Sequence, residues 1–205
     1  MAGRLSAVFV TDGAREAEET LRVAQRAVQG GATAVVVRMP HAPARDLYEV
    51  AKALRPAVHG AGALLMVHDR IDVALALRAD GVHLAARSMP LAAARSILRK
   101  GMWLGFSVHN LDEAGQAEAA GADYLFLGPV FPTASHPERA PLGLDTYREA
   151  VLRARVPVLA IGGVDLFTVP EVAGAGGKGA AAISAFYDAP DPAETARLFR
   201  AAFGA

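Results

Sequence analysis

A compact (β/α)8 barrel, the TIM-barrel arrangement, is the fold class this 205-residue sequence predicts. Three observations carry it. Apolar runs (VVV, LLMV, YLFLG, VLAIGG) recur along the chain and are nearly continuous, as in parallel strands covered on both faces. Amphipathic stretches separate them. Glycine recurs just before the runs, in GGATAVVV, GAGALLMV, ADGVHL, AAGADYLFLG and AGGKGAAAIS, where it can end a helix with positive φ at little steric cost.

The elements follow in order. Residues 5–11 are the first strand, ended by Asp12-Gly13. Residues 17–28 are helical, with Leu21, Ala24 and Val28 on one face and Glu18, Arg22 and Gln25 elsewhere. Strands follow at 33–38, 63–67, 81–84 and 102–107. The helix at 111–120 has an N-cap residue in Asn110 and a stop in Gly121. Strands at 123–128, 158–161 and 179–184 complete eight, and a last helix runs over 193–203. Seven intervening helices and the final one make eight units. An open doubly wound sheet shows similar alternation, but eight evenly spaced units favour the barrel. No Pro- or Ser-rich linker divides the chain, so residues 1–205 read as one domain.

Composition narrows the function. Hydrophobic residues make up 53%, enough for a continuous core. Lysine plus arginine equals aspartate plus glutamate at 21 each, so no overall charge draws the chain to nucleic acid or to an anionic membrane. Any anion must be held by local geometry. The absence of cysteine excludes disulfides, thiolate metal sites and cysteine nucleophiles. Residues 1–10 lack a signal-peptide pattern, and no segment approaches the ~18 apolar residues of a membrane span, so a cytoplasmic protein is expected.

Active sites of such barrels gather at the C-terminal ends of the strands. The polar residues expected there are Thr11 and Asp12, Arg38, His68 and Asp69, His83, Ser107 and His109, Thr133, Ser135 and His136, Gly162 and Gly163, and Ser184. The ends of strands seven and eight, AIGGVD and AAISAF, sit where barrels often bind phosphate. Gly162 and Gly163 let backbone N–H groups approach an anion, and Ile183, Ser184 and Ala185 offer further donors. The competing reading is a tight turn and a helix cap. Asp69 could serve Mg²⁺, a hard cation, or it could cap a helix or pair with Arg70. Arg38 could fork onto a phosphate or pair with a rim carboxylate. His83 and His109 could exchange protons near neutral pH, although His83 reads better as a structural residue. His41 and His59 carry no functional signal.

From VTDG to ISAF the chain resembles the thiamine phosphate synthase superfamily, which includes the TenI-type thiazole tautomerases. The segments that carry the resemblance are HDRIDVALALRADGVHL, GFSVHNLDEAGQAEAAGADYLFLGPVFPT, PLGL, VPVLAIGGV and AAISAF. The synthase joins a hydroxymethylpyrimidine diphosphate to a thiazole phosphate and releases pyrophosphate, for which Mg²⁺ and cationic side chains matter. By resemblance, Thr133, Ser135, Gly162, Gly163, Ile183 and Ser184 hold the thiazole phosphate, and Arg38 and His68 lie on the pyrimidine and pyrophosphate side.

That second side departs from the family pattern. Arg-Glu-Lys after strand two reads Arg38-Met39-Pro40, and Asn-Asp after strand three reads His68-Asp69. Ser88 stands at the position of the second Mg²⁺ aspartate, and Thr-x-Thr-Lys reads Thr133-Ala134-Ser135-His136. These changes lead to the expectation of a TenI-like protein that binds phosphorylated thiazole and converts thiazole carboxylate phosphate to its aromatic tautomer without a cofactor. His136, then His109, would transfer the proton, with Ser107 beside them. The TenI-type histidine in Gly-His-Val-Phe is itself replaced, in Gly128-Pro129-Val130-Phe131. Two alternatives stand beside this reading. One is a divergent Mg²⁺-dependent synthase with Asp69 as metal ligand; the other is a non-catalytic sensor of thiazole or thiamine phosphate. A homodimer is a further expectation, for which apolar residues such as Phe167 and Phe186 would serve if exposed; equally, they could pack against the barrel.

Overall fold

The structure is a computed structural model that describes residues 2–134 and 137–204. Among these residues, eight parallel strands close into a barrel in sequence order: β1 (Ala7–Val10), β2 (Ala34–Val37), β3 (Leu64–His68), β4 (Gly81–Leu84), β5 (Trp103–Val108), β6 (Tyr124–Leu127), β7 (Val158–Ala160) and β8 (Ala180–Ala182). Closure comes from β1 pairing both with β2, Val8 opposite Ala34, and with β8, Val8 opposite Ala181. The helices α1 (Ala17–Gln29), α2 (Ala44–Gly60), α3 (Ile71–Leu77), α4 (Leu91–Ile97), α5 (Leu111–Ala119), α6 (Gly143–Arg153) and α7 (Val169–Gly174) follow their strands in turn. After β8 come α8 (Ser184–Tyr187) and α9 (Pro192–Ala202).

Two apolar layers explain why the strands read as unbroken hydrophobic runs. Alternate residues face inward and outward along a strand. Val8, Val10, Ala34, Val36, Leu64, Met66, Tyr124, Phe126, Leu159 and Ala181 belong to one cluster inside the barrel. Their neighbours Phe9, Val35, Val37, Leu65, Val67, Leu125 and Leu127 belong to the layer between sheet and helices. Both sets are buried, so neither face needs a polar residue. Truncating a buried leucine or aromatic in either layer costs about 2–5 kcal/mol.

The predicted elements match with local shifts. The first strand begins at Ala7, because Ala2–Leu5 form a 3₁₀ turn. The eighth strand ends at Ala182, and Ser184 opens the one-turn helix α8 instead of closing the strand. In α1 the buried stripe is Thr20, Val23, Ala24, Ala27 and Val28, with Leu21 at its edge. Asn110 caps α5, its Oδ1 accepting from the Glu113 amide at 2.8 Å.

Two aspartates just before β4 and β6 repeat one device. Asp80 accepts from the Leu65 amide at 2.8 Å and pairs with His59 at 2.9 Å, while Asp123 accepts from the Leu104 amide at 2.7 Å and pairs with Arg95. Each ties the start of its strand to the strand before it. No helix among the described residues is long and apolar enough to cross a membrane. Phe186 is buried against Phe9 and Phe199, which excludes it from a subunit contact, whereas Phe167 is 87% exposed.

Candidate active site

Strand parity builds the site. Val36 and Met66 face the barrel interior, so Arg38 and His68, two residues on, continue that inward series at the mouth. His83 and Ser107 arrive there by the same alternation from β4 and β5, as His83 is paired with His68 on one side and with Gly105 on the other. The C-terminal ends therefore bring Arg38, His68, His83 and Ser107 onto one wall.

Arg38 is held by its backbone. The Thr11 hydroxyl accepts from the Arg38 amide and donates to the Arg38 carbonyl, both at 2.8 Å, which locks the ends of β1 and β2. The guanidinium makes one hydrogen bond, to the Asp12 carbonyl at 3.4 Å, and no ion pair with a described carboxylate. Burial lowers its pKa, with Asp12 opposing, but an arginine stays protonated in proteins. Arg38 is thus half-buried and without a carboxylate partner among the described residues.

His68 and His83 are neutral. Burial and the Arg38 charge push His68 down to about 4, against a weaker pull from Asp69. Burial pushes His83 well below the ordinary histidine range, with a smaller contribution from His68, whose ring lies 6.0 Å away. His83 stacks on Phe126 at 4.0 Å and sits between Tyr124 Oη, 3.1 Å from its Nδ1, and Ser107 Oγ, 2.9 Å from its Nε2. The tautomer follows from Tyr124. That hydroxyl is fully buried, its ionisation is further suppressed by burial, and His83 is its one acceptor. Tyr124 therefore donates to Nδ1, and Nε2–H donates to Ser107. The Ser107 hydroxyl then accepts in this pair and its own proton is not used by it. Gly105 makes room for this relay, because a Cβ there would collide with the Tyr124 ring and with His83.

Asp69 resolves differently from its bland alternatives. Arg70 pairs with Asp72, and Arg70 itself occupies the N-cap of α3 without a side-chain capping bond. Asp69 is exposed, and its carboxylate makes no hydrogen bond or ion pair among the described residues. Its backbone is left-handed, φ 65°, fixed by its amide donating to the His83 carbonyl at 2.9 Å. Such a conformation is uncommon outside glycine, although aspartate adopts it more readily than most other residues.

On the other wall, His109 Nδ1 lies 2.6 Å from the Gly128 carbonyl. A carbonyl only accepts, so Nδ1 carries a proton and donates it to this bond. The His109 amide donates to Glu113, which fixes the start of α5. Gly162 and Gly163 take φ 86° and 67°. Side chains there would strike Pro129, and Phe131 with Pro132, because the loop after β6 is zipped to the segment just past β7 through Val130 N–H to Ile161 O and Phe131 N–H to Gly162 O, each 3.0 Å. Neither glycine N–H has a partner among the described residues. Thr133 lies beside Gly162, its Cγ2 3.6 Å from where a Cβ would stand. Ser184 is exposed at the first position of α8, beside the half-buried Ile183. Ser135 and His136 lie outside the described residues.

Arg139 escaped the sequence reading. It lines a cavity of about 540 Å³ with Thr133 under the loop after β6, and it is the one Lys or Arg between residues 126 and 144. That count was the available signal. Ser88 Oγ accepts from the Ala85 amide at 2.9 Å, so it closes its own turn. Among the described residues no cluster of three or more His, Cys, Asp or Glu could enclose a metal.

Comparison with known proteins shows the family of the chain. A family model described as thiamine monophosphate synthase matches residues 7–186. A thiamine-phosphate synthase of Chloroflexus aurantiacus is 44% identical over 180 residues, 87% of this chain and 83% of that protein. One from Pyrococcus horikoshii is 41% identical over 188 residues, 92% of this chain and 89% of that protein. The structure of a thiamine phosphate pyrophosphorylase from Pyrococcus furiosus superposes with a TM-score of 0.88 at 38% identity, covering 99% of this chain and 97% of that one. These relatives carry the synthase name and not the TenI name that the sequence reading put first.

Proposed function

The chain belongs to the thiamine monophosphate synthase family, and on that premise we propose that it is a divergent thiamine phosphate synthase. The observation that carries this reading is Asp69, an unpaired carboxylate held in a left-handed backbone at the rim. A structural aspartate would be expected to cap or pair. A synthase needs a metal-directed carboxylate at this place, and a tautomerase does not.

The donor set fits Mg²⁺ in its common mode. That mode uses one or two carboxylates with substrate phosphate oxygens and water, without a complete protein cage. Asp69 would hold the ion together with the diphosphate, and the bound ion would supply charge neutralisation on the leaving group. Arg38 approaches the same diphosphate as a planar, always-charged donor. Ser107, its hydroxyl oriented by His83 and Tyr124, donates to it. The paired N–H groups of Gly162 and Gly163, with Thr133 and the start of α8, hold the thiazole phosphate on the opposite wall. The pyrimidine CH₂–O bond breaks, its electron pair leaves with pyrophosphate, and the thiazole nitrogen forms the new bond to carbon. Arg139 takes the charge that the missing lysine of the loop after β6 would bring.

One observation favours a second reading. His109, with Nδ1 fixed as a donor and Nε2 free, is equipped as a general base for tautomerising thiazole carboxylate phosphate. One pair of assays separates the two. Purified protein is given both synthase substrates with and without Mg²⁺, and the Asp69→Asn and His109→Gln variants run beside it. The synthase reading predicts Mg²⁺-dependent thiamine phosphate that falls at least about a hundredfold in Asp69→Asn. Asparagine tolerates the left-handed backbone, so the fold stays intact. Proton exchange lost in His109→Gln, with no thiamine phosphate formed by the parent protein, would establish the isomerase instead.

A further inference from the structure

The opposite end of the barrel carries a second charged cleft. The N-terminal ends of β3, β4 and β5 surround a cavity of about 340 Å³, lined among others by Arg4, Arg78, Arg99, Lys100, Asp80 and Trp103. The volume lies at the small end of the range for ligand clefts, ~300–1,000 Å³. Four cations face one carboxylate there, and that carboxylate is occupied by the Leu65 amide and His59. None of the four cations has an ion pair or side-chain hydrogen bond among the described residues. In a chain with equal numbers of acidic and basic residues, four cations around one engaged carboxylate are a local excess of positive charge.

Two further features single the cleft out. Arg78 closes α3 with φ 52°, a left-handed conformation in which glycine would be unstrained, and it lines the cavity. That conformation ends α3, the Arg78 amide donating to the Ala74 and Leu75 carbonyls, and leaves the side chain exposed at the cleft. Trp103, the first residue of β5, is partly exposed in the same wall, with its inner edge packed on Tyr124 at 6.3 Å between ring centroids. An indole offers a stacking face to an aromatic group, while arginines fork onto phosphate oxygens.

We propose that this cleft is a binding site for a nucleoside polyphosphate, its phosphates held by Arg4, Arg78, Arg99 and Lys100 and its base against Trp103. The site stands at the other end of the barrel from the candidate active site and is independent of the reaction proposed above.

Trp103 is the one tryptophan of the sequence, so intrinsic fluorescence reads this wall directly. The test titrates the protein with ADP, excited at the red edge of indole absorption, with calorimetry in parallel. Inorganic pyrophosphate serves as the anion without a base. The expected result is a saturable fluorescence change and heat with ADP, weakened by salt and at least about tenfold weaker in Arg99→Glu/Lys100→Glu, as lost charge-assisted contacts imply. Both substituted side chains are exposed, so the variant should fold and keep its basal activity. Arg78→Gly should weaken ADP binding while raising Tm, because it relieves the left-handed strain. With Mg²⁺ left out, a condition that keeps the candidate active site from taking up the diphosphate, three results would overturn the proposal: no heat and no fluorescence change with ADP, a Trp103 fluorescence change with pyrophosphate as tight as that with ADP, or ADP binding unchanged by the charge reversals.

Discussion

Replacing Gly105 by alanine isolates the relay that orients Ser107. A Cβ at this position meets the Tyr124 ring and the His83 ring, both fully buried and joined to each other. Tyr124 also packs against Phe126 and Trp103, so it has no free direction of retreat. Overpacking of this kind costs about 1–3 kcal/mol, and for a chain of this size Tm falls by about 2–4 °C per kcal/mol. The collision also pushes His83 off its bond to Ser107, so activity should drop by more than stability accounts for. Gly115 provides the control. It lies within α5 with nothing within 4 Å of its notional Cβ, so Gly115→Ala should stabilise by about 0.5–1 kcal/mol. Urea denaturation of the two variants should therefore shift Cm in opposite directions. Equal, small shifts would show that the barrel wall around Gly105 yields easily, and the account of Ser107 would lose its support.

Other consequences follow from the same contacts. His68 titrates near 4 in the folded chain and near 6.5 unfolded, so the unfolded state binds more protons between these values. Its contribution to stability is complete above about pH 6.5 and is lost as pH falls through about 4, by at most roughly 3 kcal/mol. A His68→Asn variant should show a flatter acid limb in Tm against pH, and an unchanged limb would argue against the burial invoked here. Arg38→Met should weaken pyrophosphate binding by about tenfold or more, since it removes an unpaired guanidinium, while leaving thiazole phosphate binding near its parent value. Tyr147→Phe removes a buried hydroxyl that donates to the Val158 carbonyl at 2.9 Å, and should cost about 1 kcal/mol in urea unfolding with no effect on ligands.

The barrel was legible in the sequence because strands buried on both faces leave an unmistakable record. Runs such as VVV and YLFL supply the inner and outer layers at once. The inward placement of Arg38, His68 and Ser107 follows from strand alternation. Boundaries were less legible: β8 stops at Ala182 because Ile183 turns the chain into α8, and nothing in AAISAF distinguishes a strand end from a helix start. The pairing of His83 with Tyr124 spans 41 residues and depends on barrel register, which no local pattern encodes. The freedom of Asp69 was equally hidden, since its neighbour Arg70 could have paired with it and instead chose Asp72. Arg139 was overlooked because the reading of its loop concentrated on the histidine and the hydroxyls. The four departures from the family pattern suggested that the pyrophosphate side was lost; the relatives that carry the synthase name favour the alternative reading of a divergent synthase.

The central claim is that Asp69 and Arg38 still grip a metal-bound diphosphate. Titration calorimetry with pyrophosphate, with and without Mg²⁺, tests it most directly. The account predicts binding that requires Mg²⁺ in the parent protein and disappears in Asp69→Asn. Pyrophosphate binding that is absent, or indifferent to both Mg²⁺ and Asp69, would contradict it.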